Sequence, residues 1–345
     1  LIAKERMAQM NMKAWQENLI ASPRRKAIPI MTHPGIELLA KHVHDAVIDG
    51  RVHFEAVQAL ARRFPSAAAT MMMDLSVEAE AFGSPIRVSH DEVPTVHARI
   101  VASPEEVERL QVPSLQEGRV PQYLLAARLA AAEINDRPVL AGCIGPFSLA
   151  GRLYDMTEIM TALLIEPDTI HVLLEKCTQF LVAYVGEFKR QGVNGIVIAE
   201  PAAGVLSPDD CLAFSSHYVR RIVEALQDES FLVILHNCGA REALVPAMLP
   251  AGAGAFHFGN IIDLMVPLSE IPQDRLVMGN IDPVRTLKMA SPEILRTKVL
   301  DLLHKTKGYR NYVLSTGCDS PPGVSMENIN AFYEALETFN AGREK

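Results

Sequence analysis

The stretch "LVILHNCGAREAL", residues 232–244, runs four aliphatic residues straight into a histidine and a cysteine two positions apart, then turns on Gly239 into a helical pattern. A continuous apolar run bounded by turn residues reads as a strand buried on both faces, as in a parallel sheet covered by helices. The same unit recurs along the chain: "AIPIM" (27–31), "AAATMMMD" (67–74), "PVLAGCIG" (138–145), "GIVIAE" (195–200), "FLVILH" (231–236), "GAFHFG" (254–259), "RLVMGN" (275–280) and "NYVLSTG" (311–317). Helical patterns fill the gaps, most clearly over 167–190, 208–227, 291–306 and 325–339, with "SPDD"- and "SPEE"-like starts acting as N-caps. Eight strands alternating with helices point to a single (β/α)8 TIM barrel spanning 1–345, with its active site at the carboxyl ends of the strands. A doubly wound sheet is the alternative, but no glycine-rich nucleotide fingerprint accompanies it. Residues 84–110 break the rhythm with β-branched residues and prolines but no helical period, and are expected as an inserted hairpin or lid.

Composition narrows the function. The chain has 345 residues, 49% of them hydrophobic, enough for a full core, and a net charge of −8, which argues against nucleic acid as the main partner. No apolar run reaches the roughly 18 residues that span a membrane, and no signal-peptide core follows Leu1. Five cysteines, odd in number and widely spaced, argue against a disulfide framework and for reduced thiols in a cytoplasmic protein.

The residues that matter in a barrel follow the strands: Thr32 and His33, Asp74, Gly145 and Pro146, Glu200, His236 and Cys238, His257 and Asn260, Asn280 and Asp282, Cys318 and Asp319. In extended backbone, positions i and i+2 share a side, so His236 and Cys238 can converge on one ion. Cys318 follows the eighth strand, and barrel closure brings it to the same mouth. Two cysteines and a histidine with an open fourth position make a catalytic zinc pattern. The plain reading of "HNC" is a strand end that happens to carry two polar residues. Cys143 lies within an apolar run, and Cys177 and Cys211 lie in helical patterns, so all three are expected as structural thiols. Met71, Met72 and Met73 are expected as core filling, and His42, His44, His53 and His304 as exposed helix residues.

"MMMDLSVEAEAFGSPI" (71–86), "AGCIGPFSLAGRL" (141–153), "NGIVIAEPAAGVLSP" (194–208), "HNCGA" (236–240), "MGNIDPVRTL" (278–287) and "VLSTGCDSPPGVSMENI" (313–329) together resemble the uroporphyrinogen decarboxylase superfamily, in order and over essentially the whole chain. The resemblance implies the (β/α)8 fold and separates two branches. In the decarboxylase an arginine-rich "MRQAGRY" segment after the first strand holds the acidic porphyrinogen; here "MTHPGIE" (31–37) lacks both arginines. The tyrosine after the decarboxylase's Gly-Pro loop is replaced by Arg152, and its histidine after strand eight by Cys318. His-x-Cys with a remote Cys resembles the other branch, zinc-dependent methyltransferases that move a methyl group between a corrinoid and a thiol such as coenzyme M.

That resemblance implies Zn²⁺ on His236, Cys238 and Cys318, with methyl-corrinoid as co-substrate, supplied as free methylcobalamin or on a corrinoid protein. Glu200 is the candidate labile ligand or ligand brace, or else a structural carboxylate. Asp74, Asn260, Asn280 and Asp282 are expected to orient substrate or brace strand ends. His33 and His257 are expected either to contact corrinoid, substrate or water, or to be satisfied core histidines. Arg152 is a candidate anchor for an anionic acceptor. The alternatives are a decarboxylase of uroporphyrinogen or another small acid, transfer to a non-thiol acceptor such as tetrahydrofolate, and a corrinoid-handling scaffold with structural zinc.

Overall fold

In the computed structural model, which describes residues 10–343, the apolar runs become parallel strands wherever both backbone edges are free to pair. In chain order the strands are β1 (Ala69–Thr70), β2 (Ile86–Arg87), β3 (Thr95–Val96), β4 (Val139–Ile144), β5 (Gly195–Ala199), β6 (Leu232–Asn237), β7 (Ala255–Phe258), β8 (Leu276–Ile281) and β9 (Tyr312–Thr316). One parallel sheet takes the order β1-β4-β5-β6-β7-β8-β9. The position between β9 and β1 is filled by residues 27–30. Ala27 bridges Leu314 in parallel, the Ile28 amide donates to the Leu314 carbonyl at 2.9 Å, and the Ala67 amide donates to the Ala27 carbonyl at 2.9 Å. The fold is a (β/α)8 barrel.

Two strand expectations are corrected. Run 27–31 is not a regular strand, because Pro29 has no amide hydrogen for the ladder. Side-chain hydroxyls take over there: Thr70 Oγ1 donates to the Pro29 carbonyl at 3.0 Å, Ser315 Oγ to the Ile28 carbonyl at 2.7 Å, and Thr316 Oγ1 accepts from the Ile30 amide at 3.1 Å. Run 67–74 keeps only two strand residues, and Met71, Met72 and Met73 continue from it as buried core filling. The expected excursion divides as well. β2 and β3 form an antiparallel hairpin, whereas Pro104–Arg109 is a short helix. Ser103 caps it by accepting from the Glu106 amide at 3.3 Å, with proline in the first turn and two glutamates behind it. The helix is too short to display a period. The four long helices appear as Pro167–Gln191, 208–226 with a π-helical stretch at Cys211–Ser216, Pro292–Lys305 and Met326–Arg343. The single-barrel expectation over 1–345 takes in residues 1–9 and 344–345, which lie outside the described residues. No helix among the described residues is long and apolar enough to cross a membrane.

Alternation along the strands decides which side chains reach the barrel interior. On β6, Leu232 and Ile234 pack inside with Val197, Ala255, Met278 and Val313, while Val233 and Leu235 pack outward against the helices. The same parity carries His236 of β6, His257 of β7 and Ser315 of β9 inward. His53, expected on an exposed face, is instead buried, with its Nε2 accepting from the Met72 amide at 3.1 Å. Burial pushes its imidazolium form down to a pKa of about 4.

Candidate metal centre at the barrel mouth

The mouth brings His236, Cys238 and Cys318 together: one ligand atom from each lies within 4.8 Å of the other two. A tetrahedral zinc with bonds of about 2.0–2.3 Å holds its ligands about 4 Å apart, so small rotamer changes close the set. Cys238 and Cys318 are half-buried, which leaves the centre open toward the mouth, and His236 is buried. The tight approach of β7 to this loop requires a glycine, since a Cβ on Gly259 would lie 2.1 Å from the Cys238 carbonyl oxygen. The Cys318 thiol facing its sulfur, with His236 beside it, draws the Cys238 thiol down, and the resulting thiolate pushes Cys318 up. Cys143, Cys177 and Cys211 are buried, and burial pushes all three thiols up, which suits the structural role expected of them.

Hydrogen bonds beneath the cluster orient the imidazole. His236 Nδ1 lies 2.7 Å from His257 Nδ1, and His257 Nε2 lies 2.8 Å from Ser315 Oγ, whose hydroxyl donates to the Ile28 carbonyl. Because the Ser315 proton is directed at Ile28, its oxygen accepts from His257 Nε2–H. Burial holds the imidazolium form of His257 far down, so the ring is neutral and its Nδ1 carries a lone pair that accepts from His236 Nδ1–H. His236 Nε2 is then the unprotonated nitrogen. It is buried and, among the described residues, has no hydrogen-bond partner. An orphaned nitrogen lone pair beside two sulfurs is a donor set that fits zinc.

The other expected residues sort by what they touch. Asp74 is buried and accepts from Tyr123 Oη at 2.8 Å, from Ser76 Oγ at 2.6 Å and its amide at 3.0 Å, and from Arg119. Arg119 also donates to Glu80 Oε2 at 2.7 Å and to Ser76 Oγ at 2.8 Å. Arg119, Tyr123 and Ser76 escaped the sequence reading. Arg152 is half-buried, feels the Asp74 charge, and forms no hydrogen bond among the described residues. Glu200 does not join the cluster. Its carboxylate accepts from the Phe147 and Ser148 amides, each at 2.9 Å, and from Ser148 Oγ at 2.7 Å, and so closes the amino end of helix Pro146–Tyr154. This arrangement needs Gly145, whose Cβ would sit 2.3 Å from the Glu200 side chain. These bonds match the structural carboxylate that its position also allowed. Asn280 donates to the carbonyls of Gly259 and Ile262, both at 2.9 Å, and braces the loop after β7. Asn260 is exposed and donates to Asp282, which caps the Val284 and Arg285 amides. His257 is a satisfied core histidine. His33 is buried at the mouth, with Nδ1 3.9 Å from Asp319 Oδ1.

Two buried carboxyls give the fold a measurable pH response. Burial pushes Glu78 up to about 8 and Glu200 up to about 7, and Glu78 accepts from the Ile144 amide at 3.0 Å. Both folded values lie above the unfolded ones, so the folded state binds protons more tightly. The stability this confers is present below about pH 4.5 and is lost as pH rises through 7 and 8. The melting temperature should fall by several degrees across that window, and Glu78→Gln should flatten much of the decline. An unchanged slope in that variant, followed by calorimetry from pH 5 to 8.5, would count against the assignment.

Comparison with known proteins bears on the fold and the family. A family model described as uroporphyrinogen decarboxylase (URO-D) matches residues 3–339. A protein of Methanosarcina acetivorans named Methylcobamide:CoM methyltransferase MtbA is 26% identical over 279 residues, covering 77% of this chain and 78% of that one. A protein of Coxiella burnetii named uroporphyrinogen decarboxylase is 25% identical over 297 residues, covering 82% and 80%. Among solved structures, a methyltransferase from Methanosarcina mazei superposes with a TM-score of 0.85 at 20% identity over 96% of this chain and 99% of that one.

Proposed function

Because the chain belongs to the uroporphyrinogen decarboxylase family and its mouth gathers one imidazole and two thiols, we propose that it is a zinc-dependent methyltransferase that moves a methyl group from a methyl-corrinoid to a small thiol such as coenzyme M. The observation that carries this reading is the convergence of His236, Cys238 and Cys318 around the unpartnered His236 Nε2. The relative named Methylcobamide:CoM methyltransferase supports the same chemistry. The absence of arginine from "MTHPGIE" (31–37) weighs against an acidic porphyrinogen.

Zinc bound there supplies a Lewis acid that favours the thiolate form of the acceptor at neutral pH. His236, Cys238 and Cys318 are its holders, and His257 and Ser315 keep the His236 tautomer ready. The acceptor sulfur forms the new bond to the methyl carbon, the cobalt–carbon bond breaks with its electron pair left on Co(I), and the thiol proton leaves to solvent. Arg152, half-buried and without a hydrogen-bond partner among the described residues, is the anchor for an anionic group on the acceptor or the corrinoid periphery. The Asp74–Arg119–Tyr123 network keeps the end of β1 rigid behind it. The corrinoid arrives as free methylcobalamin or on a partner protein, and the unpaired cysteines suit a reducing, cytoplasmic setting.

The test is metal analysis together with incubation of the protein with methylcobalamin and a panel of thiols, following loss of the methyl–cobalt absorbance. About one zinc per chain and thiol-dependent demethylation are expected. Turnover of uroporphyrinogen without demethylation would return the decarboxylase reading.

A further inference from the structure

Buried polar atoms without partners are rare in folded proteins, and each asks for an explanation. Here six gather in one place: Thr32 Oγ1, both ring nitrogens of His33, both carboxylate oxygens of Asp319, and Ser320 Oγ. Thr32, His33 and Ser320 are almost fully buried. They belong to neighbouring segments of the barrel mouth, joined where the Ser320 amide donates to the Ile30 carbonyl at 3.0 Å. Asp319 directly follows Cys318, so this pocket adjoins the metal ligands. None of these groups serves the proposed chemistry described so far.

We infer that this pocket seats a protonated amine on the acceptor, which narrows the small thiol proposed above from a sulfonate such as coenzyme M to an aminothiol. The inference rests on the methyl-transfer reading above. His33 Nδ1 and Asp319 Oδ1 lie 3.9 Å apart, too far for a hydrogen bond, yet the right span for one donor atom about 2.8 Å from each. Asp319 has no cationic side chain but His33 within 4.0 Å among the described residues, and a buried carboxylate calls for a cationic partner with several donors. An ammonium has three: one for Asp319, one for a lone pair of His33, and one for a hydroxyl of Thr32 or Ser320. A sulfonate or carboxylate head would meet the Asp319 carboxylate as a like charge. Because Asp319 is next in sequence to a metal ligand, the amine lies a short spacer from the reacting sulfur.

The test compares three thiols with the same two-carbon spacing: 2-aminoethanethiol, 2-mercaptoethanol and 2-mercaptoethanesulfonate. Binding is read on cobalt(II)-substituted protein from the sulfur-to-cobalt charge-transfer band, independently of turnover, with metal content measured for every variant. The aminothiol should bind at least about tenfold more tightly than mercaptoethanol, a difference of about 1.4 kcal/mol. Asp319→Asn should remove that preference while leaving mercaptoethanol binding unchanged. His33→Gln should lower it in the same direction, and it carries the test alone if Asp319→Asn fails to fold or hold metal. Equal or tighter binding of the sulfonate, or an equal loss for all three thiols in Asp319→Asn, would overturn the amine seat and leave methyl transfer standing. A metal-replete protein whose spectrum responds to none of the thiols would overturn both.

Discussion

Cys318→Ser is expected to weaken zinc binding by on the order of a hundredfold or more, since it removes one of the three proposed protein ligands. Thiol-dependent demethylation of methylcobalamin should fall to background at the same time. Cys318 lies 80 positions along the chain from Cys238, and no local motif joins them; only closure of the barrel brings β9 back beside the β6 mouth. A serine hydroxyl is a poor ligand for a borderline-soft ion, but it fits the same space, so the fold should survive. Cys143→Ser is the control with the opposite signature. It buries a hydroxyl in the apolar run of β4, where Cys143 is 2% exposed, and should cost about 1–3 kcal/mol of stability while zinc content stays intact. Cys238→Ala and His236→Ala should behave like Cys318→Ser. Full zinc retention and turnover in Cys318→Ser, measured by metal analysis after exhaustive dialysis, would remove the thiolate centre from the mechanism.

How much of this was legible in the sequence depends on the range of the rule involved. Strand alternation is local, so "HNC" at the end of β6 announced that His236 and Cys238 share a side. Cys318 needed one global fact, the closed barrel, and counting apolar runs supplied it. What could not be read depends on register. His236 stands opposite His257 across β6 and β7, and Ser315 reaches His257 from β9, but nothing in either residue's neighbourhood specifies that pairing. Arg119 was hidden for another reason: the 84–110 excursion separates it from Asp74, so this buried ion pair joins residues 45 apart. Thr32 was readable only as a strand-end position, and Ser320 carries no pattern at all. Their meaning comes only from being buried without partners. The failure at residues 27–31 was readable in principle, because Pro29 forbids a regular ladder there.

His257→Leu should weaken zinc binding by roughly ten- to a hundredfold, the usual effect of removing a group that orients a ligating imidazole. The leucine keeps the volume but offers no lone pair to His236 Nδ1–H. Among the described residues, the acceptor left to that proton is the backbone carbonyl of residue 257, at 3.3 Å, so the ring is free to exchange its tautomer and to turn Nε2 away from the sulfurs. His257→Gln carries both an acceptor and a donor and should recover most of the affinity. Ser315→Ala should act in the same direction but less strongly, because His257 then loses the acceptor that keeps its proton on Nε2. If the three residues work as one chain, adding Ser315→Ala to His257→Leu should cost almost nothing further, a non-additivity that independent packing defects do not produce. Chelator competition gives the affinities, and the melting temperature of the zinc-free proteins separates metal loss from unfolding. Should His257→Leu bind zinc as tightly as the parent, or should the double variant show the full sum of the two losses, His236 would have to be oriented by the sulfurs and the ion alone.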